Sequence, residues 1–147
     1  MFSGRYIHSL DDKGRIKLPQ KIKESLSSSY NNSALVVTNL DKCLVAYPAD
    51  EWKKLEEKAL MLPSMEKDVL EFLRYFFSGA FEIEPDKSDR LLIPQSLKIS
   101  GNLEKEIMII GIINRFEIWD KGLWEDNFKQ ARANFGSVAA TMSRIGF

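Results

Sequence analysis

The tripeptide Phe2-Ser3-Gly4 recurs as Phe77-Ser78-Gly79, so its two copies begin 75 residues apart (77 − 2). At the same offset, DKGRIKLPQ at residues 12–20 has a second version, KSDRLLIPQ, at residues 87–95. Both versions place an arginine shortly before a Pro-Gln pair. An internal repeat of this length indicates two copies of one structural unit, which decides the architecture before any single residue is considered.

The size and composition of the chain are those of an ordinary globular protein. It has 147 residues, of which 44% are hydrophobic and 29% are charged, and this balance is typical of folded domains. Two units of half this length would each be only marginally stable alone. We therefore expect the units to share a core, within one chain or between chains.

Targeting and redox features indicate the cytoplasm. Residues 1–5 lead directly into strand-like sequence, without the apolar region of a signal peptide. The longest apolar run, at residues 107–113, is far shorter than the ~20 residues that cross a bilayer. The single Cys43 excludes an internal disulfide and is typical of a reducing compartment. The sequence thus predicts a cytoplasmic protein with no membrane contact.

Each unit begins with a predicted β-hairpin. In the first unit, residues 5–10 and 15–18 alternate polar and apolar side chains, and the Asp- and Gly-containing segment 11–14 is typical of a turn. Pro19 suits the first turn of a short helix. A second strand pair and a helix complete the unit, and the second unit repeats the plan. The remaining predicted strands are residues 34–38, 43–47, 80–84, 90–93, 106–113 and 115–119.

Between the units, the sequence predicts a helix that is apolar on more than one side. Its apolar residues between 65 and 77 exceed the single stripe of a surface helix, so we expect burial on two sides. The tail after Gly136 is expected to be disordered or to dock on a neighbour. The predicted organisation is an α+β chain with a first unit at 1–63, a connecting helix at 64–79, a second unit at 80–135 and a tail at 136–147.

Enzymatic and metal-binding motifs are missing from the sequence. His8 is the single histidine, so a His pair for a metal is excluded, and neither a phosphate-binding glycine loop nor zinc-ligand spacing occurs. Carboxylate pairs such as Asp11-Asp12 and Glu56-Glu57 lack an acid–base context. The sequence therefore predicts no catalytic residues, no metal and no cofactor.

The chemistry that stands out is an Asp-x-x-x-Arg motif in the same turn of each unit, formed by Asp11 with Arg15 and by Asp86 with Arg90. A guanidinium held by a neighbouring carboxylate has a fixed geometry, which suits reading of guanine or clamping of phosphate. The alternative is a staple across the turn that contributes little to stability if exposed. Spacing alone favours the staple, because short motifs often match by chance.

Charge is distributed unevenly along a chain whose net charge is zero. Residues 1–25 carry six basic and three acidic side chains, a net charge of +3 (6 − 3), whereas residues 50–84 are acidic. Such asymmetry can create one basic face on a neutral protein. Ordinary solvated surface charge is an equally good interpretation of these counts.

The order and spacing of several motifs resemble the MraZ family, over nearly the whole chain. The halves of that family are similar to swapped-hairpin domains of the AbrB/SpoVT type. The segments that carry the resemblance are Met1-Phe2-Ser3-Gly4, residues 10–15 through Leu18-Pro19, Tyr47-Pro48 with Glu51-Trp52, residues 90–94, and Phe116-Glu117-Ile118-Trp119.

The resemblance implies a bacterial transcriptional regulator that binds short direct repeats in promoter DNA upstream of the division and cell-wall gene cluster. It implies a cytoplasmic, nucleoid-associated protein that forms ring-like homo-oligomers. It further implies that the two units form a swapped-hairpin barrel with flanking helices. The family's Asp-x-x-x-Arg turn corresponds here to Asp11 with Arg15 and to Asp86 with Arg90.

One position departs from the family's pattern. The family often has glycine before the second arginine, as Gly14 precedes Arg15, but this chain has Asp89 before Arg90. We expect Asp89 to make the second turn less tight, and we expect the first unit to be the main contact with DNA.

Two hypotheses follow. In the first, the protein is a DNA-binding regulator; its contact residues are Arg15, foremost, with Asp11, Arg5, Lys13 and Lys17 in the first unit, and Arg90, Asp86 and Lys87 in the second. In the alternative, the protein is an oligomeric protein-binding scaffold without DNA contact, and the Asp/Arg turns are only staples. The apolar helix at 65–77 and the zero net charge motivate the alternative.

Overall fold

The computed structural model describes residues 1–31 and 33–147. The strands of these residues are β1 (Arg5–Ser9), β2 (Arg15–Lys17), β3 (Leu35–Leu40), β4 (Cys43–Pro48), β5 (Phe81–Ile83), β6 (Arg90–Leu92), β7 (Glu106–Ile112) and β8 (Arg115–Asp120). The helices are α1 (Gln20–Ser29), α2 (Ala49–Ala59), α3 (Lys67–Phe72), α4 (Gln95–Ser100), α5 (Lys121–Ala133) and α6 (Phe135–Arg144). Helix α3 continues into a π-helical stretch, Leu73–Phe77, which we call the π segment.

The strands form two antiparallel sheets, and the predicted α+β class is confirmed. Six strands make one sheet in the order β1-β7-β8-β4-β3-β5, and β2 pairs with β6 in a separate two-stranded sheet that we call the ribbon. The described strands do not close into a single barrel, so the expected swapped-hairpin barrel is not confirmed.

An approximate two-fold axis relates the two units. On this axis Ile16 pairs with Leu91 in the ribbon, and Val45 pairs with Glu117 at the centre of the large sheet. Away from the axis, the pairing of β1 with β7 has its counterpart in the pairing of β5 with β3. The repeat predicted from the sequence is therefore a structural repeat.

The opening hairpin predicted for each unit is wrong, because its two strands lie in different sheets. Strand β1 pairs with β7 and β2 pairs with β6, so both take partners from the other unit. The divergence lets Ile16 and Leu91, which are fully buried, fill the space between ribbon and sheet. A flat hairpin would leave their apolar surface in water, at a cost of roughly 25 cal/mol per Å². The later hairpins, β3–β4 and β7–β8, form as predicted.

The core lies on both faces of the large sheet. One face packs against the ribbon, α1 and α4 through Ile16, Leu91, Ile22 and Leu97. The other face carries two smaller apolar clusters. One is formed with α2 and the π segment, around Trp52 and Phe76, and the other lies beside α5, around Met108 and Trp119. The ribbon's second face is left as a surface, and the candidate site lies there.

The connecting helix packs on the large sheet through one side, and burial of its second side, between units or between subunits, stays a prediction. In α3 and the π segment, Phe76 is buried, whereas Phe72 is 44% exposed and Met65, just before α3, is 95% exposed. Phe76 is the one buried side chain among the described residues of this segment, and Thr38 Oγ1 of β3 donates a hydrogen bond to its carbonyl oxygen. Leu73 and Phe77 are half-buried, with the Phe77 ring 5.1 Å from that of Trp52, whereas Phe72 and Tyr75 remain exposed.

The C-terminal tail is helical rather than disordered over most of its length. Helix α6 covers Phe135–Arg144 and buries none of its residues. The boundaries predicted for the units, the connecting helix and the tail stay predictions. None of the described helices has the length and apolar character required to span a bilayer.

Candidate nucleic-acid interface

The first turn, Asp11–Gly14, is organised by one carboxylate. Asp11 Oδ1 accepts hydrogen bonds from the backbone N–H groups of Lys13 and Arg15, both at 2.9 Å. Its other oxygen, Oδ2, accepts a hydrogen bond from Arg15 Nε at 2.7 Å. Gly14 closes the turn by donating to the Asp11 carbonyl, with a φ of 78° that favours glycine. The aspartate therefore holds both the backbone of the turn and the guanidinium.

The second turn, Asp86–Asp89, repeats this geometry. Asp86 Oδ1 accepts from the N–H groups of Ser88 (2.8 Å) and Arg90 (3.0 Å), and Oδ2 accepts from Arg90 Nε at 2.9 Å. Asp89 donates to the Asp86 carbonyl at 3.0 Å and has a φ of 59°. The expectation that Asp89 loosens this turn is wrong. Aspartate tolerates the left-handed region better than most residues do, so it replaces glycine without opening the turn.

The hydrogen bonds of each turn favour the charged form of its aspartate. Backbone N–H donation from Arg15 is the largest influence that lowers the pKa of Asp11, and its guanidinium adds to it. The same donation from Arg90 lowers the pKa of Asp86. Both groups are thus carboxylates at neutral pH. Because each arginine is held through Nε, its two terminal nitrogens are left without a hydrogen bond to Asp11 or Asp86 in the described structure.

The ribbon joins the two turns into one surface. Lys17 pairs with Arg90 and Arg15 pairs with Leu92, whereas Ile16 and Leu91 between them face the core. Since side chains alternate along a strand, the outer face of the ribbon is shared by Arg15, Lys17, Arg90 and Leu92. Each turn is also bonded to the strand end of the other unit. Leu18 N–H donates to the Asp89 carbonyl, and Ile93 N–H donates to the Gly14 carbonyl.

The structure separates one predicted contact residue from this surface. The Arg5 guanidinium lies over the rings of Phe128 and Trp124 of α5, 4.7 and 5.6 Å from their centroids. This cation–π arrangement gives Arg5 a packing role on the opposite face of the large sheet. Lys13 and Lys87 are exposed within the first and second turns, respectively. The ribbon and its turns bring Asp11, Arg15, Lys17, Asp86 and Arg90 together, and their contact with DNA stays a prediction.

Two lysines next to the turns were missed by sequence reasoning. Lys23 of α1 lies beside the second turn, with its Nζ 2.7 Å from Asp89 Oδ2. Lys98 of α4 lies beside the first turn, where a Cβ added to Gly14 would be 2.9 Å from its Nζ. The repeat was the available signal, because Lys23 and Lys98 are themselves 75 residues apart (98 − 23).

The surroundings of Cys43 and His8 both favour the uncharged form of the side chain. Burial raises the pKa of the Cys43 thiol, so Cys43 is not a thiolate at neutral pH. Burial, and then the nearby charge of Lys17, lower the pKa of His8. Within residues 1–31 and 33–147, no group of three His, Cys, Asp or Glu side chains could hold a metal ion. The arrangement is one of fixed cations on a ribbon, which suits binding of an anionic partner.

Comparison with protein-family models gives two tandem matches. Residues 1–75 and residues 76–145 each match the model of the MraZ family, which is described as "MraZ protein, putative antitoxin-like". The two matches meet at residue 75 and together span nearly the whole chain.

Proposed function

The chain belongs to the MraZ family, a family of regulator type, and from this premise we propose that it is a sequence-specific DNA-binding transcriptional regulator. We place its operators in the bacterial division and cell-wall gene cluster, as short promoter repeats that a homo-oligomer binds side by side. The protein then acts in the cytoplasm, on the nucleoid. The pairing of β2 with β6 across the two units supports a fold of the swapped-hairpin type for this DNA-binding protein.

One observation carries the proposal: the outer face of the ribbon combines Arg15, Lys17 and Arg90. The major groove of B-DNA, about 12 Å wide, admits a two-stranded β-ribbon. Arg15 and Arg90 are pre-organised by their aspartates, which lowers the entropy lost when a guanidinium pairs with guanine O6 and N7. The surface thus meets the shape and the chemistry of direct base reading.

Oligomerisation reconciles this function with a net charge of zero. One ribbon with three cations binds DNA weakly, but several ribbons on one assembly gain affinity through their high effective concentration. Acidic surfaces elsewhere, such as residues 50–84, keep DNA away from other faces. Each promoter repeat would then meet one subunit.

Replacing Arg15 by alanine tests the proposal. We expect a loss of about 1–3 kcal/mol of binding free energy per engaged subunit, because a base contact is removed. Arg15→Lys keeps the charge but not the planar fork, and should lose most of the discrimination between sequences. Binding is measured by gel shift on DNA from upstream of the chain's own gene.

Arg132→Ala is the matched control, since Arg132 is an exposed arginine on α5, away from the ribbon. It should bind as the wild type does. Unchanged promoter binding by Arg15→Ala would refute the proposed role of the ribbon.

An apolar groove supports a second candidate, the protein-binding scaffold. Leu55, Leu62, Phe72 and Phe77 line this groove between α2 and the π segment, with a volume of about 240 Å³. A salt titration separates the two candidates. DNA binding through several phosphates weakens steeply as salt rises, whereas binding in an apolar groove does not.

A further inference from the structure

At one position, which faces a lysine in each case, the two turns of the ribbon carry a glycine and an aspartate. The first turn has Gly14 beside Lys98, and the second has Asp89 beside Lys23. Both positions have positive φ values, 78° and 59°, and both donate to the carbonyl of the turn's aspartate. The backbone is therefore the same in both turns, and the difference lies in charge.

The second turn shows how an anion sits in this position. Asp89 Oδ2 is 2.7 Å from Lys23 Nζ, at the distance of a charge-assisted hydrogen bond. A carboxylate oxygen and a phosphate oxygen are both acceptors for an ammonium group. Asp89 thus occupies, from within the chain, a place that a DNA phosphate could otherwise take.

In the first turn the Lys98 side chain itself lies against Gly14, since a Cβ added to Gly14 would be 2.9 Å from Nζ and 3.4 Å from Cε. Gly14 has no side chain, and Lys98 Nζ makes no ion pair within the described residues. Two further differences add positive charge to the first unit, and a third, Asp12 at the place of Lys87, has the opposite sign. Lys13 and Lys17 in the first unit stand where the second unit has Ser88 and Leu92, at the offset of 75 residues.

We propose that Lys98 binds a DNA backbone phosphate beside Gly14, and that Asp89 closes the equivalent site in the second turn by pairing with Lys23. The proposal rests on the proposed DNA-binding function and adds a residue from the second unit to the site of the first. Lys98 fixes the position of the ribbon on the backbone, since a phosphate contact carries no base sequence of its own. The first turn then offers Lys98 to DNA, whereas Lys23 beside the second turn is already paired with Asp89.

Charge variants at the two positions test the proposal by fluorescence anisotropy. The probe is a labelled duplex from upstream of the chain's own gene, titrated at several KCl concentrations. Lys98→Ala should weaken binding by about fivefold per engaged subunit at about 0.15 M salt, and should reduce the salt slope by about 1. Gly14→Asp should have the same effect, because the new carboxylate would pair with Lys98.

Two neutral variants separate charge from shape. Gly14→Asn adds nearly the same atoms as Gly14→Asp and tolerates a positive φ, so it should retain more binding than Gly14→Asp. Asp89→Asn should free Lys23 and increase the salt slope. Circular dichroism and thermal unfolding establish that each variant is folded.

Equal losses in Gly14→Asn and Gly14→Asp would overturn the proposal, since the cause would then be shape. Wild-type affinity and salt slope in Lys98→Ala and Gly14→Asp, alongside lost binding in Arg15→Ala, would overturn it while leaving the proposed function intact. An unchanged slope in Asp89→Asn would contradict the closing role of Asp89. If the wild type itself shows no salt-dependent binding to the duplex, both proposals fall.

Discussion

Asp11 and Asp86 each use one carboxylate for three hydrogen bonds, two from the backbone and one from an arginine. Neutral carboxyl groups accept these bonds more weakly, which is why the turns depend on ionisation. Each pKa is lowered in the folded state from its ordinary value of 3.8. The unfolded chain therefore binds protons at a higher pH than the folded chain does.

We expect the stability contributed by these two turns to depend on pH only in acid. A lowered folded-state pKa means that the contribution is fully present above the ordinary value, from about pH 5 upward. It is lost as the pH falls through the folded-state pKa values of Asp11 and Asp86. Urea unfolding between neutral and strongly acidic pH measures the effect.

In the double variant Asp11→Asn with Asp86→Asn, the free energy of unfolding should fall less steeply in acid than it does in the wild type, because the two titrating groups are gone. Asp126→Asn removes an exposed carboxylate on α5 and is the control. It should show the same decrease of the unfolding free energy in acid as the wild type. If the double variant loses stability in acid as steeply as the wild type, the two turns are not the cause of that loss.

At the scale of elements, the π segment is held to the large sheet by two side chains of β3. Thr38 Oγ1 donates to the Phe76 carbonyl at 2.5 Å, and Asn39 Nδ2 donates to the Tyr75 carbonyl at 2.8 Å. Both side chains are buried. They satisfy carbonyl groups at a place where the helical hydrogen-bond pattern changes.

Thr38→Val should lower the free energy of unfolding by about 1–3 kcal/mol, because it leaves a buried carbonyl without this donor. It should also increase amide hydrogen exchange in residues 73–77, measured by mass spectrometry. Thr141→Val removes a similar hydroxyl from exposed helix α6 and should change neither quantity. Equal exchange in residues 73–77 of the Thr38 variant and the wild type would contradict the anchoring role.

Most strands could be predicted from the sequence, but their partners could not. Alternation at residues 5–10 and 15–18 identifies β1 and β2 because one side of β2 is buried and one side of β1 is half-buried. The periodicity of a strand shows only which of its side chains are buried. It does not show whether the neighbouring strand in the sheet follows across the turn or comes from the other unit. Proximity favoured the local hairpin, whereas the shared core between ribbon and sheet favours exchange.

The candidate site was predictable where its contacts are local. Asp11 and Arg15 are four residues apart (15 − 11), so their pairing follows from turn chemistry. Lys23 and Asp89 are 66 residues apart (89 − 23) and meet only because the units interlock. The cation–π position of Arg5 likewise depends on where α5 packs, which no local pattern specifies.

At the scale of the whole molecule, neither unit has a complete set of strand partners. In residues 1–75 alone, β1 would lack β7 and β2 would lack β6, leaving β3–β4 as the one remaining pair. An isolated two-stranded hairpin is marginally stable in water. We therefore expect this fragment not to be a folded monomer.

Circular dichroism and light scattering of the fragment 1–75 provide the measurement. It should be unfolded or should pair with a second copy, and mixing it with 76–147 should restore the far-ultraviolet spectrum of the intact chain. A cooperatively folded monomer of residues 1–75 would contradict the shared core.

Self-association is the second expectation at this scale. Phe72, Tyr75 and Phe135 are 44%, 47% and 64% exposed, more aromatic surface than a monomer keeps in water at low cost. Light scattering at micromolar concentration should give a mass that is a multiple of 16.9 kDa. Phe72→Glu should reduce that mass, whereas Phe147→Glu at the chain's end serves as its control. A monomeric wild type would refute the expectation.

If the ribbon binds DNA as proposed, the axis through Ile16 and Leu91 bears on the direction in which it binds. Were the units identical, the ribbon would look the same after half a turn, and such a reader matches palindromes. Covalent fusion lets positions 14 and 89 be encoded independently, and here they differ in charge. On the proposed DNA duplex, a ribbon with unlike ends would bind in one preferred orientation. An array of such ribbons, all pointing the same way, would prefer operators repeated head to tail.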